Sequence, residues 1–151
     1  MNLATSRDAL LDEDALIDAF ETCTLPKGAL DHAAHVRVAW IYLQDLPLVR
    51  ALERFAVSLK RYAQSVGADG LYHETITWTY MFLINERRER APGSSWEEFA
   101  AANPDLFGDH KQLLSRYYSQ ETLHSDLARR TFVMPDASAR IHRRRRYSTM
   151  R

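Results

Sequence analysis

The sequence predicts an all-α fold, an irregular or orthogonal bundle of about six to seven helices, on three observations. Apolar residues recur at helical spacing in nearly every long segment, and no stretch alternates with the period of two that a half-buried strand needs. The five Gly and five Pro among 151 residues fall between the periodic segments and not inside them. A composition of 46% hydrophobic and 26% charged residues is enough to close one core around such helices, and the length suits a single domain.

The first helix is expected over residues 12–23, where Ala15, Leu16, Ala19, Phe20 and Cys23 form one stripe. Pro26-Lys27-Gly28 breaks it. Asp31 has the short carboxylate of an N-cap for a second helix over 32–46, which presents His32, His35, Val36, Ala39 and Leu43 along one face. Pro47 suits the first turn of a third helix reaching about residue 66, with Ala51, Leu52, Phe55, Leu59 and Tyr62 as its stripe. Gly67-Ala68-Asp69-Gly70 stops that helix. A fourth, over 71–90, is apolar on most sides and is therefore placed centrally. After Pro92-Gly93, Ser94 or Ser95 caps a short helix through residue 102, with Glu97 and Glu98 near its positive end. Two more short helices are expected over 109–118 and 120–131, and Pro135-Asp136 closes the folded part.

Charge and cysteine usage exclude several classes of function. Lys plus Arg equals Asp plus Glu at 20 each, so a dedicated nucleic-acid binder is disfavoured. No apolar run has the roughly 20 residues that span a bilayer, and the N-terminus lacks the apolar stretch of a signal peptide. The lone Cys23 permits neither an internal disulfide nor a multi-cysteine metal site. A cytoplasmic protein is expected. Six of the basic residues lie in 140–151, a stretch without acids, so the body carries a net −6. Residues 1–136 are thus expected to form one helical domain and 137–151 a basic, solvated or disordered tail. An anion or partner patch, or a tail folded back onto the acidic body, are its other readings.

Chemistry concentrates at the histidines. His32 and His35, three residues apart, share a helix face and can converge on one object. His73 opens the fourth helix in Leu71-Tyr72-His73-Glu74-Thr75-Ile76-Thr77. Its His-Glu start lacks the second His of a two-His zinc helix, because position 77 is Thr77. What remains is a three-His site for one divalent transition metal (Zn, Fe, Ni or Cu), with His32, His35 and His73 as ligands. Glu74 would be a fourth ligand or general base, and Thr77 and Arg37 would orient ligands or substrate. The plain alternative is structural: His32 bonds the helix start, His35 bonds a carbonyl, Glu74 favours the positive helix end, and the threonines bond back along the helix. Trp40, Tyr42, Trp78 and Tyr80 read as core, and His110, His124 and His142 as exposed.

The blocks His32-Ala33-Ala34-His35-Val36-Arg37-Val38-Ala39-Trp40-Ile41-Tyr42-Leu43 and Tyr72-His73-Glu74-Thr75-Ile76-Thr77, with Tyr117-Tyr118-Ser119, Ala128-Arg129 and Pro135-Asp136, resemble a group of small helical bacterial proteins of about this length. The resemblance covers about residues 20–136. It implies that His32, His35, His73 and Glu74 belong to a shared pattern, and it transfers no activity.

Three functional readings follow. The first is a small-molecule enzyme with a His-rich metal site between two helices, its chemistry hydrolytic or oxidative. The second is a non-enzymatic binding or interaction module, monomeric or homodimeric, whose His/Glu cluster is a structural hydrogen-bond network. The third is a metal-free acid–base site with His73 or Glu74 as proton carrier.

Overall fold

A computed structural model describes residues 3–137, with side chains from Asp12 onward; the basic tail lies outside the described residues. The fold is all-α, and no strand occurs among the described residues. In chain order the helices are α1 (Leu3–Glu21), α2 (His32–Asp45), α3 (Leu48–Ser65), α4 (Glu74–Arg90), α5 (Trp96–Ala102), α6 (His110–Leu114), α7 (Gln120–Leu123) and α8 (Asp126–Arg130). Single 3₁₀ turns at Asp69–Leu71 and Pro104–Leu106 complete them.

Local chemistry sets the ends. Asp31 caps α2 as expected, its carboxylate accepting from the Ala34 N–H. Pro47 stands at the N-cap of α3, one residue outside the first turn. Ser95 and Glu98 form a reciprocal capping box at α5. The expected fourth helix is shorter at its start: Asp69–Leu71 makes a separate turn, and His73 is the N-cap of α4, its Nδ1 accepting from the Ile76 N–H. The stretch 120–131 is two helices and not one, because the Ser125 hydroxyl accepts from the Ala128 N–H and restarts the chain. The first helix ends at Glu21, and Cys23 follows in a left-handed conformation (φ 58°).

Helices α2, α3 and α4 pack on one another, α1 lies against α3, and α8 against α4. Phe20 is wholly buried among the rings of Tyr42, Phe55 and Tyr62 at centroid distances of 5.9–6.5 Å, which joins α1 to the three-helix core. A smaller cluster of Leu114, Tyr118 and Leu123 sits against Ile76 and Tyr80 of α4. The end of the described chain is laid over that cluster and tied down by side chains. Tyr118 donates to the Val133 carbonyl, and Thr75 donates to the Thr131 carbonyl while accepting from the Val133 N–H. The Asp136 carboxylate takes the Ser119 N–H and both the Ser119 and Thr122 hydroxyls.

Candidate functional site

Three helix stripes converge on one cavity of about 520 Å³, inside the range of about 300–1,000 Å³ usual for small-molecule sites. From α2 come His32, His35, Val36 and Ala39; from α3, Phe55, Leu59, Tyr62 and Ala63. The first turns of α4 add Ile76, Thr77 and Tyr80, with His73 at its cap. Each set follows i, i+3/i+4 spacing, so each is one face of its helix. The rim holds Lys27, Leu71 and His110, all exposed; Leu71 is 81% accessible, high for a leucine. Most of the wall is apolar.

The polar groups in this wall are constrained by carbonyls. A carbonyl only accepts, so the imidazole nitrogen facing it must carry the proton. His32 Nε2 lies 2.7 Å from the Leu106 carbonyl, which leaves Nδ1 with the lone pair in the neutral ring. His35 is fixed the opposite way: Nδ1 donates to the Asp31 carbonyl at 2.8 Å, and Nε2 carries the lone pair without a protein partner among the described residues. His73 is satisfied at both ends, Nε2 donating to the Leu123 carbonyl at 2.7 Å and Nδ1 accepting from Ile76 at 3.2 Å.

Burial sets the titration of these groups. Desolvation pushes His35 below its ordinary value, against the opposing pull of its bond to Asp31, and the neighbouring His32 adds to the lowering. His73 is lowered first by burial and further by Arg129 and His124. The Tyr80 phenol is pushed up to about 12 by burial and by the charges of Asp109 and Asp105. Tyr72 is raised by burial and then by Glu74. Among the described residues the Tyr80 phenolic oxygen is buried without a hydrogen-bond partner, although Tyr80 belongs to the cavity wall. A buried hydroxyl left unpaired costs about 1–3 kcal/mol, so Tyr80 keeps an unmet hydrogen-bonding capacity beside the cavity.

The expected three-His metal site is not assembled. His73 has no lone pair left to give, because one nitrogen holds a proton toward Leu123 and the other receives Ile76. Glu74 turns away from the cavity: its Oε1 accepts from Trp78 Nε1 at 2.5 Å and its Oε2 pairs with Lys60 at 3.2 Å. Among the described residues no three His, Cys, Asp or Glu side chains stand where they could hold a metal ion together. Arg37 also lies outside the cavity, paired with Asp12 at 3.5 Å and set over the Trp96 ring. Thr77 does line it, with its hydroxyl donating back to the His73 carbonyl at 2.8 Å. Of the six expected site residues, His32, His35, His73 and Thr77 therefore share the cavity, while Glu74 and Arg37 belong to other contacts.

Sequence reasoning read Tyr80 as core and His110 as exposed and gave Tyr72 and Lys27 no role, whereas all four line the cavity. Tyr80 stands seven residues after His73, on the same helix face, so that stripe was its signal. His110 comes from a distant short helix, and nothing in the order of residues announces its approach. No family model, curated protein or solved structure matches this chain.

Proposed function

We propose that this chain binds a small, largely apolar molecule in the α2–α3–α4 cavity and that His35 accepts a proton or hydrogen bond from that molecule's polar group. The observation that carries the reading is the bare Nε2 of His35, held in a single tautomer by the Asp31 carbonyl inside a mostly apolar wall. A lowered basicity keeps the ring neutral near pH 7, the form a general base requires. On accepting a proton at Nε2, the ring keeps its Nδ1–H on the Asp31 carbonyl, and the nearby Asp31 carboxylate favours the new positive charge. The chemistry this supports is proton abstraction from a C–H or O–H acid. No step is routed through a metal, since His73 and Glu74 are committed elsewhere. For His73 the structural-network reading is favoured, by its two saturated nitrogens.

The test uses 2-naphthol, an apolar body with one O–H, whose neutral and deprotonated forms emit at different wavelengths. Binding that is lost in the cavity-filling Ala63→Phe variant, with a naphtholate share of emission that falls in His35→Ala, is the expected result. Binding untouched by Ala63→Phe overturns the cavity assignment. An emission ratio unchanged in His35→Ala overturns the proton-acceptor role.

A further inference from the structure

We infer that the preferred occupant of this cavity is an amphipathic carboxylate, its apolar body inside the helix walls and its anionic end at the rim beside Lys27. The inference rests on the binding reading above and adds the charge class of the ligand.

Three features carry it. Among the described residues the wall contains no Asp or Glu, so a cationic ligand would lose hydration on entry with no acid in the wall to receive it. The one formally charged residue in the wall is Lys27, beside Gly28 in the α1–α2 loop, and no acidic side chain lies within ion-pair distance of it among the described residues. Finally, α2 and α4, of 14 and 17 residues, both begin among the residues that line the cavity, and the start of a long helix favours an anion nearby.

The acids in the neighbourhood are already engaged. Asp31 is bonded to the Ala34 N–H, and Glu74 to Lys60 and Trp78. On the Tyr80 side, Asp109 takes the Lys111 N–H, and Asp105 is held by Arg87 and Arg116. Asp109 and Asp105 raise the Tyr80 phenol, and Asp31 acts on His35, so the anion belongs beside Lys27, the charged residue that itself lines the cavity. The exposed Leu71 supplies an apolar rim through which the body passes. A carboxylate is the anion chosen, since one ammonium matches one negative charge, whereas phosphate recognition calls on several donors at once.

The experiment compares three probes that share one body: 2-naphthylacetate, 2-(2-naphthyl)ethanol and 2-(2-naphthyl)ethylamine. Kd is measured by calorimetry at low and at high salt for the full chain and for Lys27→Met. The carboxylate is expected to bind about twofold to fivefold tighter than the alcohol at low salt, the scale of one solvent-exposed ion pair. The amine should bind most weakly. Salt and Lys27→Met should each shrink the carboxylate's advantage while leaving the alcohol's Kd in place. An alcohol that equals or exceeds the carboxylate overturns the inference, as does a carboxylate preference that survives Lys27→Met undiminished. If 2-naphthol binds and the carboxylate shows no advantage, the charge assignment alone fails; if neither 2-naphthol nor any of the three binds, the cavity reading fails with it. Lys27 is exposed and unpaired, so its replacement leaves the core untouched.

Discussion

Replacing His73 by Ala removes two hydrogen bonds that no other side chain can make. The Nδ1 acceptor at the start of α4 is lost, and an N-cap of this kind is worth about 1 kcal/mol, within a range of about 0.5–2. The Leu123 carbonyl, bonded at 2.7 Å in a buried position, loses its donor, at a cost of about 1–3 kcal/mol. Together these predict a loss of about 3 kcal/mol, or a melting point lower by about 6–12 °C for a chain of this size. His73→Asn separates the two contributions. Its amide oxygen can cap Ile76 again but its short side chain cannot span to Leu123, so it should recover about 1 kcal/mol. Urea denaturation at pH 7.5, read by circular dichroism, gives all three stabilities. A loss below about 1 kcal/mol in His73→Ala, or an Asn variant no better than Ala, would refute the view that His73 is a doubly bonded structural pin.

Three further outcomes follow from the side-chain bonds of the structure. Folded His35 and His73 both titrate below the ordinary value near 6.5, so in mild acid the unfolded chain binds more protons than the native one. Stability should be level above about pH 6.5 and should fall below it by up to about 1.4 kcal/mol per pH unit for each histidine, and urea midpoints between pH 7.5 and 5 check the slope. Long-range proton–nitrogen NMR should find His32 and His73 protonated at Nε2 and His35 at Nδ1; the Nε2–H form at His35 would contradict its assignment as a base. Arg87→Ala breaks a bidentate pair with Asp105, whose carboxyl is held below the usual range chiefly by that bond. A cost of about 1–3 kcal/mol is expected, and Arg87→Lys should restore only part of it, because an ammonium cannot grip both oxygens.

What the sequence made legible was local. The Asp31 cap, the Ser95–Glu98 box and the stripes of α2 and α3 are written within a turn or two of chain, where capping chemistry and periodicity act. The convergence of His32, His35 and His73 on one space was also foreseeable from their faces. What those histidines do there was not, because their partners are backbone carbonyls of Leu106 and Leu123, and every residue type has a carbonyl. Glu74 illustrates the same limit. Its neighbour in the chain is the cavity-lining His73, yet about 100° of helix rotation turns it to Trp78 and Lys60. Splitting 120–131 into two helices depended on one hydroxyl, that of Ser125, which in another setting sits quietly on a helix face.

The α3–α4 turn at the cavity rim is fastened from far along the chain: Arg129 of α8 donates to the Gly70 carbonyl at 2.6 Å. With Leu106 and Leu123 it makes three anchors for the first half of the molecule that come from its last third. During synthesis, a chain that has emerged only as far as Arg90 has the three helices that wall the cavity and none of these anchors. The two cross-chain imidazoles and the rim turn have no such partners in that length of chain. The helices that wall the cavity thus depend on the last third of the described chain to satisfy two of their imidazoles and to hold the rim turn.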